Sequence, residues 1–216
     1  MRTALSRLVR DTAYVLSAFV LGVVGFVLAV SGTAVGVGLL FTVVGVFVLA
    51  GTLYAVRGLA QLERIRMARL LDADVPPASY ARPRDGDGWL RRTATPLRDP
   101  QSWLDLLWAV LSLVSGTVVF VVTVAWWAVA AGGLTYWFWQ MFIPDDGEDQ
   151  GLAELLGLGD GRQAESLLNL ALGLAAAVTL PFVVRGCAAV HSGLASALLT
   201  TRARLASSYA VQAPAA

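Results

Sequence analysis

The sequence predicts an all-α integral membrane protein with four transmembrane helices and both termini in the cytoplasm. Three observations carry this. Hydrophobic residues make up 57% of the 216-residue chain and charged residues only 14%, whereas a soluble domain carries about 25% charged residues. No charge occurs between Asp11 and Arg57, between Asp105 and Asp145, or between Glu165 and Arg185. A bilayer core takes about 20 apolar residues per helical crossing, so these runs are long enough to span. The arginines, finally, are spread very unevenly over the segments that join the runs.

The first run, residues 12–56, has room for two crossings. Its one turn-like break is Ser31-Gly32-Thr33, which predicts spans at about 13–30 and 34–56. Arg2, Arg7 and Arg10 ahead of it give the start of the chain the look of a signal peptide. The apolar run is longer than an h-region of about 7–15 residues, and the next apolar block follows at once, so the first block reads as a span.

The border at residues 98–103, Arg-Asp-Pro-Gln-Ser-Trp, opens the third span. Asp99 is placed to cap a helix with Pro100 at its first position. Trp103 then sits at headgroup level and Arg98 can meet lipid phosphate. Tryptophan concentrates at the two membrane interfaces. Trp103 and Trp108 mark one; Trp126 and Trp127, about 35 Å further along a helix, mark the other. The third span is therefore about 104–127. What remains up to Pro144 is too short for a return crossing and reads as an interfacial segment. The helix is expected to break or bend at Gly132-Gly133, because an unbroken helix over 104–139 would run about 54 Å against a core of about 30 Å. The fourth span is about 166–185.

Orientation follows from the arginines. Three precede the first span, nine lie in the loop 57–103, and Arg185, Arg202 and Arg204 follow the fourth span. Between Asp145 and Glu165 a single arginine, Arg162, stands against seven acids. The positive-inside rule places both termini and the loop 57–103 in the cytoplasm and the segment 128–165 outside. Residues 1–199 form one membrane domain. Residues 200–216 form a cytoplasmic tail, helical at first and then disordered.

The same composition excludes whole classes of chemistry. All sixteen basic residues are arginine, so there is no P-loop lysine, no Schiff-base lysine and no phosphate-pairing kinase lysine. With one cysteine, Cys187, and one histidine, His191, the chain can form neither an internal disulfide nor a Cys/His metal cluster. A net charge of +1 exerts no pull toward nucleic acid. No catalytic, metal or cofactor site is expected, and the chain reads as a non-enzyme. No charge falls inside the spans as drawn, which counts against ion-coupled transport.

Candidate contacts are of two kinds. Trp126, Trp127, Tyr136, Trp137 and Trp139, with Phe138 beside them, form either an interfacial belt or a face for an apolar or cationic ligand. Arg64, Arg66 and Arg69, on the helix that follows the second span, join Arg98 and Trp103 as lipid-headgroup contacts, since arginines among leucines snorkel. Gly32 with Gly36, and Ser112 with Gly116, have the four-residue spacing that lets helix backbones approach, within the chain or between chains. Pro181 interrupts the fourth span and should kink it, as a hinge or merely for packing. Beyond Arg185, His191, Leu194, Leu198, Thr201, Leu205 and Ser208 alternate at three- and four-residue spacing, a weak coiled-coil seam suited to a homodimer.

A larger pattern emerges when these pieces are taken in order. Glu63, Arg64 and Arg66 form an E-R-x-R helix. Leu70-Leu71 and Pro76-Pro77 follow, and then Arg98, Asp99, Pro100, Trp103, Asp105, Leu106 and Leu107 open the third span. The order and spacing resemble the sensor domain at the amino terminus of many actinobacterial histidine kinases. The late stretch Val190–Leu199 is similar to that family's exit helix, and the resemblance covers roughly Asp11 to Leu199. It implies a membrane sensor of a two-component system, at the plasma membrane, whose partner is a histidine kinase domain in cis or in trans. In such kinases the exit helix leads to a phosphorylated histidine with an acidic residue after it. Here His191 is followed by Ser192, so it is expected to be a helix-surface histidine, and the chain to be a sensor without a catalytic half. The alternative is a small membrane transport or assembly subunit.

Overall fold

A computed structural model describes residues 4–78, 80–82, 86, 88–142, 151–157, 161–200 and 203. They form α1 (Ala4–Gly38), α2 (Val43–Leu70), α3 (Trp89–Thr93), α4 (Thr95–Arg98), α5 (Pro100–Trp139, prolonged by a 3₁₀ turn at Gln140–Phe142), α6 (Leu152–Leu155) and α7 (Arg162–Leu199). There is no strand among the described residues. Among the same residues, α1, α2, α5 and α7 are the helices long and apolar enough to cross a membrane. The chain divides into two compact units, Met1–Phe120 with Cys187–Ala216, and Val121–Gly186.

In the first unit α1 and α2 form an antiparallel hairpin. Its turn lies later than the sequence suggested. The helix runs straight through Ser31-Gly32-Thr33 and stops at Gly38, and Leu39–Thr42 make the turn, with the Thr42 amide and hydroxyl both donating to the Leu39 carbonyl at 2.8 Å. The reason is packing. A Cβ at Gly32 would collide with the Thr52 side chain, and one at Gly36 would lie 2.5 Å from Leu49 Cγ. These glycines let two helices touch; they do not break one. Ser112 and Gly116 serve a second contact of this kind. A Cβ at Gly22 would sit 2.7 Å from the Ser112 carbonyl oxygen, and one at Gly116 3.0 Å from that of Ala18. Close backbone approach within the chain is what both small-residue motifs provide.

Those contacts also fix a direction. Ala18, Gly22 and Gly25, rising along α1, meet Gly116, Ser112 and Ala109, falling along α5. The first helix and the start of α5 therefore run antiparallel. Simple alternate crossings by first and third spans would run them in the same sense. Described residues between α2 and α5 lie along α2, Tyr80 beside Arg64 and Arg57. Trp89 stacks on Phe47, near the start of α2, with ring centroids 5.5 Å apart. Asp99 caps α5 as expected: the Gln101 amide donates to Asp99 Oδ1 at 3.3 Å. The core of this unit is built on Tyr14, Val56, Ala60, Met67, Trp108, Ala109, Ala188, Ala195 and Leu199.

The second unit pairs the later half of α5 with the first half of α7. The expected break at Gly132-Gly133 is absent, and α5 is one helix of 40 residues, about 60 Å long. Gly133 is again a contact: its Cβ would lie 2.7 Å from Gly173 Cα, while nothing stands within 4 Å of a Cβ at Gly132. Trp126 Nε1 donates to Thr179 Oγ1 at 3.0 Å, and Ser166 Oγ to Gln140 Oε1 at 2.8 Å. Glu165 ties α6 to α7, accepting from the Ala153 amide at 2.7 Å and from Asn169 Nδ2 at 3.1 Å. Pro181 lies inside α7, which continues past it to Leu199.

Candidate functional site: two buried polar knots

Polar side chains converge inside the first unit at two places. Both begin with the E-R-x-R stretch of α2. Glu63 and Arg66, three residues apart, share one helix face, while Arg64 points to another. One short motif thus feeds two clusters.

The first knot centres on Glu63, which is fully buried. Its Oε1 accepts the Tyr14 hydroxyl at 2.6 Å, and its Oε2 is paired with Arg66. Arg66 also donates to the Tyr14 carbonyl at 2.7 Å and to Ser17 Oγ at 2.8 Å, and lies over the Tyr14 ring at 4.9 Å. His191 completes the knot. Its Nδ1 is 3.1 Å from Ser115 Oγ, its Nε2 is 3.9 Å from Glu63 Oε1, and its ring meets Tyr14 edge-on at 5.8 Å. Each of the four long helices contributes: Tyr14 and Ser17 from α1, Glu63 and Arg66 from α2, Ser115 from α5 and His191 from α7.

The second knot joins Arg64 and Asp105, whose side chains are 3% and 0% exposed and 3.2 Å apart. Arg64 donates as well to the Tyr80 hydroxyl at 3.0 Å and to the Leu199 carbonyl at 3.0 Å. Asp105 accepts the Tyr80 hydroxyl at 2.7 Å and Gln101 Nε2 at 2.9 Å, and Gln101 reaches the Leu198 carbonyl at 3.3 Å. The Tyr80 ring is bracketed by guanidinium groups, Arg57 at 4.4 Å and Arg64 at 5.7 Å. Arg57 pairs with Asp99 at 2.7 Å and donates to Ser102 Oγ. Tyr80 lies in the connecting segment outside the long helices. Burial above all, with the hydrogen bond to Asp105, pushes its phenol up to about 12.

Buried charges are costly unless paired and fully hydrogen-bonded. Here a carboxylate is matched to a guanidinium in each knot and also accepts from neutral donors, Tyr14 in the first and Tyr80 and Gln101 in the second. The last carbonyls of α7, which a helix end leaves without internal donors, are held by side chains of α2 and α5. The arrangement binds the place where α7 ends to the rest of the unit.

The residues singled out from sequence fall on both sides of this line. Arg64 and Arg66, expected at lipid headgroups, point inward to Asp105 and Glu63. Arg69 and Arg98 are exposed, and so is Trp103, whose Nε1 donates to the Leu97 carbonyl at 3.1 Å. Trp126, Trp127, Trp137 and Trp139 are exposed on α5, and Tyr136 is half-buried. His191 is not on the surface: it is 1% exposed, because Ala188, His191, Ala195 and Leu199 make one helical stripe that faces the core. Of the expected seam, Leu194 and Leu198 are half-buried, and Thr201, Leu205 and Ser208 lie outside the described residues. Glu63, Asp105, Tyr14, Tyr80, Gln101 and Ser115 were not foreseen as a site. The available signal was the position of Glu63 and Asp105, acids placed just outside long uncharged runs.

The family model Sensor, described as "Putative sensor", matches residues 14–199. No significant match was found among curated proteins or among solved structures.

Proposed function

Because the chain belongs to the Sensor family, we propose that it is the membrane sensor module of a two-component system. It sits in the plasma membrane as a multi-pass protein and relays an envelope or bilayer stimulus to a histidine kinase output. The observation that supports this reading best is the second knot. The final carbonyls of α7, at Leu198 and Leu199, are bonded to Gln101 and Arg64, so a shift among the long helices is passed to the point where α7 leaves the bundle. The partners are the bilayer, a second copy of the chain, and a kinase domain in cis or in trans. The chain's own part is mechanical, not catalytic.

The arginine distribution supports cytoplasmic termini. Alternate crossings would then run α1 and α5 in the same sense, whereas the two helices meet antiparallel, so the side from which α5 enters the membrane is the point on which the arginine rule and this contact differ.

The buried charges also suit the alternative, a small transport or assembly subunit, since acids within spanning helices often mark ion paths. One experiment separates the two. A histidine kinase catalytic core is joined after Ala216 and reconstituted in vesicles, and its autophosphorylation is compared between wild type and Gln101→Leu. A sensor changes its output at least threefold when this hold on α7 is removed. Unchanged autophosphorylation would refute the relay.

A further inference from the structure

The geometry points to the Glu63–His191 pair as a proton-binding joint, through which acid draws α7 toward α2. His191 Nε2 stands 3.9 Å from Glu63 Oε1, beyond hydrogen-bond range but within reach of an ion pair. The Ser115 hydroxyl donates to the Leu111 carbonyl at 3.2 Å and its oxygen accepts from Nδ1–H at 3.1 Å, so the neutral ring in this tautomer has no proton on Nε2 with which to close that gap. A proton changes this. Both ring nitrogens then become donors, and a charge-assisted N–H···O bond settles at about 2.7–2.9 Å. Closing the gap moves α7 about 1 Å toward α2, the scale of helix shift that switching proteins use.

The acceptor is available. Glu63 Oε1 takes one hydrogen bond, from Tyr14, and a carboxylate oxygen has lone pairs for two. The groups facing His191 come from every neighbouring helix: the Tyr14 ring and hydroxyl from α1, Glu63 and Arg66 from α2, and Ser115 from α5. Glu63 is the anion that faces the ring and Arg66 is paired with it, so the acid is the element that makes the joint responsive. This inference concerns the conformation of the chain itself and holds whichever output is attached.

The chain carries its own reporters. His191 is its one histidine and Cys187 its one cysteine, four residues apart on α7, so about one turn. In nanodiscs, the imidazole nitrogens of ¹⁵N-histidine-labelled protein are followed by NMR from about pH 4 to about pH 8, with imidazole as the titrating group. A polarity-sensitive fluorophore on Cys187 is followed over the same range. Wild type should show one fluorescence inflection that coincides with the imidazole titration. His191→Gln should abolish that inflection. Glu63→Gln should weaken proton binding at least tenfold and remove the fluorescence change, with helical content by circular dichroism intact; His191→Asn stands in if His191→Gln does not fold. A flat imidazole signal, an inflection that survives in the histidine variants, or a Glu63→Gln titration like wild type would each overturn the proposal.

Discussion

Replacing Arg64 by methionine separates a buried structural cation from a headgroup contact. Arg64 is 3% exposed and gives hydrogen bonds to Asp105, Tyr80 and the Leu199 carbonyl. Removing it leaves Asp105 buried with its charge and no cation, while Tyr80 at 2.7 Å and Gln101 at 2.9 Å remain. Breaking a buried pair from one side costs about 3–5 kcal/mol. The two surviving donors place this case at the lower end, about 3 kcal/mol, or roughly 150-fold in the unfolding equilibrium. An exposed arginine at a lipid headgroup would cost about 0–1 kcal/mol. Adding Asp105→Asn removes the stranded charge, so the double variant should regain about half the loss and cost about 1.5 kcal/mol, well short of the sum of the two single variants, each of which strands one buried charge. Unfolding in mixed micelles of increasing denaturing detergent, read by circular dichroism and tryptophan fluorescence, measures all four corners of the cycle. A single-variant cost below about 1 kcal/mol, or strict additivity, would refute the buried-pair reasoning.

Neighbouring glycines should behave in opposite ways. Gly133→Ala, whose methyl meets Gly173, should destabilise by about 1–3 kcal/mol, whereas Gly132→Ala, with open space around it, should be neutral or stabilise by about 0.5–1 kcal/mol; thermal unfolding of both variants decides. Tyr80 should make stability fall in alkali. Its phenol is raised from 10.0 to about 12, so its contribution is complete below about pH 10 and is lost as pH rises through about 12, where both states are deprotonated. Tyr80→Phe should flatten that part of the stability-against-pH curve. Cysteines at Leu194, Leu198 and Leu205, in a chain lacking Cys187, should crosslink between copies in membranes more than cysteines at Ser196 or Ala203; equal yields would remove the dimeric seam.

The apolar runs made the four long helices legible because each stands clear of charge by composition alone. Asp99 and Pro100 marked the start of α5 for a local reason, a cap and a fixed first dihedral, and the structure has that cap. What could not be read was pairing. Gly32, Gly36, Gly132 and Gly133 look alike in sequence whether they end a helix or admit a neighbour. Only the partner, Thr52, Leu49 or Gly173, tells the two apart. Arg64 and Arg66 misled for a similar reason: an arginine beside leucines suits both a headgroup and a buried acid, and Asp105 lies 41 residues from Arg64. His191 was taken as a surface residue because no helical wheel shows that Tyr14, Glu63 and Ser115 await it.

Thiol accessibility in whole cells tests the crossing of the membrane most directly. Single cysteines are placed at Gly86, in the segment between α2 and α5, and at Gly147, between α5 and α6, with Cys187 replaced beforehand. An impermeant maleimide should spare the cysteine at Gly86 until the cells are opened and should label the one at Gly147 at once. Labelling at Gly86 with protection at Gly147 would mean that α5 enters from the opposite side, in the sense of its antiparallel contact with α1. That result would contradict the cytoplasmic exit of α7.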